Sequence, residues 1–163
     1  MEYWRDLQDF ESLRRLLEVA SERTSRCWRF FFGSTLANVI YRVKQEYGSR
    51  FAELVAANPG IFASLDLGHH SFFEEIVIRN LDFSSPGRTV SGLAFICFVL
   101  DQWSSRTRLS EGYTLDYITM FLWRALLRKK RVLGCWLARP QHSLDQAPEE
   151  EENLRAGLDP PTE

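Results

Sequence analysis

The sequence predicts an all-α protein: helices wrapped around one central apolar helix, followed by a disordered acidic tail. Three observations carry this. The stretch "GRTVSGLAFICFVLDQW", residues 87–103, has no charged side chain between Arg88 and Asp101. A helix that is hydrophobic all round has to be surrounded by others. Around it, apolar residues recur three and four apart, while β-branched alternation never holds for more than a few residues, so no strand is predicted. From Arg139 onward Pro, Gln and Glu dominate, a composition that cannot bury enough apolar surface to order itself. The boundaries drawn are 1–139 for the helical domain and 140–163 for the tail.

Taken in order, Trp4, Leu7, Phe10, Leu13, Leu17 and Ala20 form the inward stripe of a first helix. After the aromatic "CWRFFFGS", Ser34 can cap a helix carrying Leu36, Val39, Ile40, Val43 and Tyr47. A further turn or two holds Phe51, Leu54 and Val55, until "NPG" at 58–60 breaks it. "HHSFFEEIVIRNL" reads as a short helix with Phe72, Phe73, Ile76, Val77 and Leu81 inward. The central helix has a marked start: Ser84 or Ser85 as N-cap and Pro86 in the first turn, where a missing N–H costs nothing. It is expected to end near Trp103. A last helix begins at Ser110, carries Leu115, Ile118, Leu122, Ala125 and Leu126 on one side, and is expected to end in Arg128, Lys129, Lys130 and Arg131, whose charges would complement its dipole.

The formal charge of −2 averages two unlike parts. Residues 140–163 hold seven acids and one base, a net −6, and the remaining 139 residues hold 19 bases and 15 acids, a net +4. A body this mildly basic is not that of a dedicated nucleic-acid domain. The basic "RALLRKKR" could touch an anionic membrane surface or an import receptor, but a solvated helix end is the simpler reading. The uncharged run Thr89–Leu100 is twelve residues long; a membrane span needs about 20, so the stretch is core. No signal peptide, spanning segment or C-terminal anchor is expected. Cys27, Cys97 and Cys135 are odd in number and far apart, which argues for free thiols in a reducing, intracellular setting.

Catalysis is not predicted. His69 and His70 are adjacent and lack a third ligand, as are Glu74 and Glu75, whose side chains would diverge. No nucleophile elbow or phosphate-binding glycine loop occurs. Neither a metal, a cofactor nor a small-molecule substrate is expected, which leaves binding through a groove.

The segments "WRFFFGST", "SLDLGHHSFF", "LDFSSPGRTV", "FVLDQWS", "LSEGYTLDY", "LWRALLRKKR" and "RAGLDPPTE" occur in order nearly end to end. On them the chain resembles the adenovirus early-region 1B small T-antigen family, 19-kilodalton viral relatives of the Bcl apoptosis regulators. The resemblance implies a Bcl-like helical bundle without enzymatic activity, which holds the amphipathic BH-three helix of a pro-apoptotic host protein in a surface groove. Host Bak and Bax are the implied partners, and the implied outcome is that mitochondrial cell death is blocked and infected cells survive.

Bcl regulators begin their central helix with a Gly-Arg-x-Val run, in which Gly lets the ligand approach and Arg pairs with the ligand's aspartate. Gly87, Arg88 and Val90 match it, with Leu93 one turn on. Val39, Ile40 and Val43, in "TLANVIYRVKQEY", are the implied groove wall. Beyond Val90 the usual aromatic pair is replaced by "SGLAF", which would reshape the groove floor, and the Trp-containing second BH motif has no clear counterpart. The resemblance also implies association with host intracellular membranes, the nuclear envelope and the cytoplasm, with Arg128, Lys129, Lys130 and Arg131 as candidate membrane or anion contacts. An alternative function is therefore a structural adaptor at the nuclear envelope or lamina, acting through that basic segment and the acidic tail.

Overall fold

A computed structural model describes Leu7 and residues 9–137, with side chains through Arg128 except those of Arg26, Phe30 and Phe32. The acidic tail, 140–163, lies outside the described residues. Among the described residues every regular element is helical.

Helix α1 (Phe10–Ala20) starts where the Asp9 side chain accepts the Ser12 N–H, and it buries Leu13, Leu16, Leu17, Val19 and Ala20. Leu7 is buried as well, while Trp4 lies outside the described residues. The aromatic segment then forms a short helix of its own, α2 (Arg26–Phe32), capped by Ser25. Its Arg29 is buried because three backbone carbonyls, of Val19, Ser21 and Thr24, accept from its guanidinium at 2.7 Å each. Their acceptance compensates the lost hydration of the cation. Ser34 caps α3 (Thr35–Glu46) through Ala37, as its position suggests.

The face that α3 buries differs from the apolar stripe in its sequence. Ala37, Ile40 and Lys44 are inside, whereas Val39 and Tyr47 are exposed. The reason lies in another element: Asp101 offers its carboxylate 2.5 Å from the Lys44 Nζ, and Glu22 adds a second at 3.1 Å. With such partners a cation can join Ala37 and Ile40 on the inward face, against which Leu36 and Val43 are partly buried.

Helix α4 (Gly48–Ala56) stops before the Asn58-Pro59-Gly60 break, and two short helices follow, α5 (Ile61–Asp66) and α6 (His70–Ile76). A single 3-10 turn, Ile78–Asn80, extends α6. Their inward residues, Ile61, Leu65, Phe73, Val77, Ile78 and Leu81, lie in the same core as the longer helices.

The central helix α7 (Pro86–Ser104) is capped by Ser85 with Pro86 in the first turn, and it buries Leu93, Ala94, Ile96, Cys97, Val99, Leu100 and Trp103 on several faces at once. It packs against α1, α3 and α4. Burial pushes the Cys97 thiol up to about 12, so it is a small hydrophobe rather than a nucleophile.

Helix α8 (Glu111–Leu137) buries Leu115, Ile118, Phe121, Leu122, Ala125 and Leu126. It is longer than the charge pattern suggests, because "VLGCWL" supplies no breaker after the bases. Arg128–Arg131 are thus not the last turn, and dipole complementarity does not account for them. No described helix is long and apolar enough to cross a membrane.

Candidate functional site

A cavity of about 860 Å³ opens at the start of α7. Gly87, Arg88, Ser91, Gly92 and Phe95 line it from that helix. Their spacing puts them on one face, and three of the five are Gly or Ser. That face lacks side-chain volume, so space remains where a core helix would otherwise be filled. The opposite wall comes from α4, with Phe51, Leu54 and Val55, continued by Asn58 and by Ile61 at the start of α5. The third side is the end of α6 and the segment leading to α7: Ile76, Val77, Asn80, Leu81, Asp82 and Ser85.

The apolar base is fixed by packing. Phe51 lies against Phe95 and Phe98, with ring centroids 5.4 and 5.8 Å apart, in tilted geometries that favour aromatic contact. Leu54, 55% exposed, stands on the rim. Asn58, Asn80, Asp82, Ser85 and Ser91 supply polar groups around an otherwise apolar lining. A concave apolar floor with a few polar groups at its edge can hold an amphipathic segment or a small apolar ligand.

Arg88 is the cationic residue of this lining. Its backbone N–H donates to the Ser85 Oγ cap at 3.3 Å, which fixes the first turn. Its guanidinium extends into solvent, 65% exposed, and its Nη1 donates to Asp82 Oδ2 at 2.6 Å and to Ser84 Oγ at 3.1 Å. Asp82 in turn accepts the Ser84 backbone N–H at 2.8 Å. That backbone contact is the largest reason its carboxyl is held down at about 2, with the Arg88 guanidinium adding to it. The neighbouring Gly87 would meet no atom within 4 Å if it carried a Cβ, so open space lies beside the Arg88 backbone.

Of the groove residues implied by the resemblance, the structure brings Gly87 and Arg88 to the cavity. Val90 and Val43 are partly buried against the core, and Leu93 and Ile40 are wholly within it. Val39 is exposed but does not line the cavity. The wall is built instead from α4 and the 76–85 segment, which sequence reasoning missed. The signal for it was thin: "FAELV" has apolar residues on two faces, but nothing in it says which neighbour it meets. Among the candidate anion contacts, Arg128 pairs with Glu74, and the side chains of Lys129, Lys130 and Arg131 lie outside the described residues. Among the described residues no group of three His, Cys, Asp or Glu side chains is placed to hold a metal ion.

Comparison with known proteins agrees along nearly the whole chain. Residues 1–135 match the family model described as "Adenovirus E1B 19K protein / small t-antigen". The chain is 74% identical to the E1B protein, small T-antigen, of human adenovirus F serotype 41, over all of this chain and 99% of that protein. With the same protein of human adenovirus C serotype 2 it shares 43% identity, over 98% of this chain and 99% of the other. No solved structure matches the chain.

Proposed function

The chain belongs to the adenovirus E1B 19K family, and we propose that it keeps infected cells alive by holding the BH-three helix of host Bak or Bax in the cavity at the start of α7. The reading is of a binding protein that blocks mitochondrial cell death by sequestration, with no chemical step. One observation carries it: Arg88 and Gly87 stand together at the edge of an apolar cavity. An amphipathic helix needs a trough for its apolar face and, for orientation, a charged partner for its carboxylate. The floor around Phe51 and Phe95 offers the first, and Arg88 the second. The open space at Gly87 lets a ligand backbone come close.

The test is a fluorescence-anisotropy titration of the full chain with labelled BH-three peptides from Bak and Bax, in wild type and Arg88→Glu. Binding at or below the micromolar range, about −8 kcal/mol, weakened at least about tenfold by charge reversal, is the expected result. Arg88 is exposed, so the substitution should leave the helical circular-dichroism signal unchanged. If neither peptide binds wild type, the cavity is not a BH-three site. In that case the adaptor reading, in which the basic segment and the acidic tail carry the activity, becomes the one to pursue.

A further inference from the structure

The ion pair at the cavity edge contains more than an anchor. Arg88 uses one nitrogen, Nη1, for both of its side-chain partners, Asp82 Oδ2 and Ser84 Oγ. A guanidinium carries five N–H donors in a rigid planar fork. The three hydrogens of its Nε/Nη2 edge have no partner among the described residues. That edge matches a carboxylate in the two-bond geometry that makes Arg–carboxylate recognition strong.

Asp82 is itself held. Its Oδ1 accepts the Ser84 backbone N–H, and the Ser85 cap sits between these residues and the first turn of α7. The contacts form a closed local loop: Asp82 to Ser84, Ser84 to Arg88, Arg88 back to Asp82. A long, exposed cation at a helix N-terminus would otherwise be disfavoured by the dipole and spread over many rotamers. We infer that Asp82 is a positioning residue: with Ser84 it fixes the Arg88 guanidinium by Nη1 and leaves the Nε/Nη2 edge ready for a carboxylate of the bound helix.

This inference rests on the groove reading above and adds Asp82 to it. The opposing reading is that Asp82 competes with the ligand's acid for Arg88, and the two differ in sign. An Asp82 carboxylate that stays ionised down to about pH 2 remains in place wherever a ligand carboxylate of ordinary acidity is charged. Its effect is therefore felt throughout the binding range of pH.

Two measurements decide it. First, the Bak peptide and the same peptide with its aspartate replaced by Asn are titrated into wild type, Asp82→Asn and Asp82→Glu full-length protein. Positioning requires that Asp82→Asn weaken the aspartate peptide by roughly three- to ten-fold, a modest loss because the pair is exposed, and leave the Asn peptide unchanged. Asp82→Glu should recover part of the loss. Tighter binding of the aspartate peptide by Asp82→Asn would establish competition and overturn the inference. An equal loss for both peptides would show a merely structural role and overturn it too.

Second, the ¹⁵N heteronuclear Overhauser effect at Arg88 Nε reads side-chain order with no ligand present. It should be high in wild type and fall in Asp82→Asn; an unchanged value overturns the inference even if no peptide binds. If the peptides fail to bind wild type while Arg88 is ordered by Asp82, the groove reading fails and the positioning itself stands.

Discussion

The two ends of α7 are built on opposite plans. At its start, Gly87, Ser91 and Gly92 leave a cavity, and the charged groups there, Asp82 and Arg88, are exposed and tied only to near neighbours in sequence. At its end the helix is sealed by contacts that reach across the molecule. Trp103 is fully buried, and its Nε1 donates to Asp66 at 2.8 Å; Thr107 donates to the same oxygen at 2.7 Å. Asp101 takes Lys44 Nζ at 2.5 Å and the Glu22 backbone N–H at 2.9 Å. Arg23 donates to the Glu111 carbonyl and to the hydroxyls of Ser104 and Thr114. One helix thus has a braced end and an open one. The cavity lies at the end of the helix that carries none of these long-range contacts.

The largest effect that would test this contrast lies at the braced end. Asp101→Ala leaves Lys44, only 3% exposed, without its nearest counter-charge and removes the acceptor of the Glu22 N–H. Breaking one side of a buried pair costs about 3–5 kcal/mol. Glu22, 54% exposed and 3.1 Å from Lys44, stays as a partial substitute, so about 3 kcal/mol is expected. Urea unfolding measures it, and a loss below about 1 kcal/mol, the range of exposed pairs, would mean that this end is no better braced than the other.

The open end answers differently to crowding. A Cβ on Gly92 would already lie 3.6 Å from Leu81 and 3.7 Å from Phe83. Gly92→Leu therefore has to displace these side chains or fill the cavity, at a cost of roughly 1–3 kcal/mol. Peptide binding should be lost along with it. An unchanged melting midpoint combined with lost binding would show that the new side chain lies wholly in the cavity.

Charge gives a third test, with opposite signs at the two ends. Burial pushes the Asp101 carboxyl up, against the pull of Lys44, so the fold holds that proton more tightly than the unfolded chain does, and this linkage contribution falls as pH rises through the raised value, above which the ionised carboxylate pairs with Lys44. Asp82 is held at about 2 against 3.8 for the free group. The folded state therefore binds fewer protons there than the unfolded chain, and the stabilisation is complete above the ordinary value and disappears as pH falls toward about 2. Asp82→Asn should narrow its gap from wild type as pH falls from about 6 to about 2.5. The melting midpoints of both proteins across that range check the sign, and a gap that widens in acid would refute it.

The same contrast explains what could be read from the chain. Local signals were legible: Ser85 and Pro86 at the start of α7, the Ser34 cap, the Asn58-Pro59-Gly60 break, and the uncharged run that is the core. All of these act within a few residues. The burial of Lys44 and of Arg29 was not legible, since each depends on acceptors that the fold brings from elsewhere. At the candidate site, Gly87 and Arg88 were singled out through resemblance alone, because a Gly-Arg pair in a first helical turn has no distinctive pattern. The apolar stripe of α3 pointed to Val39, Ile40 and Val43, whereas the cavity wall is α4 and the 76–85 segment. Periodicity reports which residues of a helix are apolar; which neighbour that face meets is decided by the other helices.

The smallest effect is the most discriminating, because it separates space left for a ligand from space left by imperfect packing. Gly92→Ala adds one methyl at ordinary van der Waals distance from Leu81 and Phe83, with nothing nearer. In the middle of a helix, replacing Gly by Ala recovers about 0.5–1 kcal/mol of backbone entropy. The variant should therefore be slightly more stable than wild type by urea unfolding. If the glycine is there only because the fold needs it, Ala destabilises and the midpoint drops. If it is there to keep the cavity open, stability rises while Bak-peptide affinity falls, and the two quantities move in opposite directions under a single methyl group.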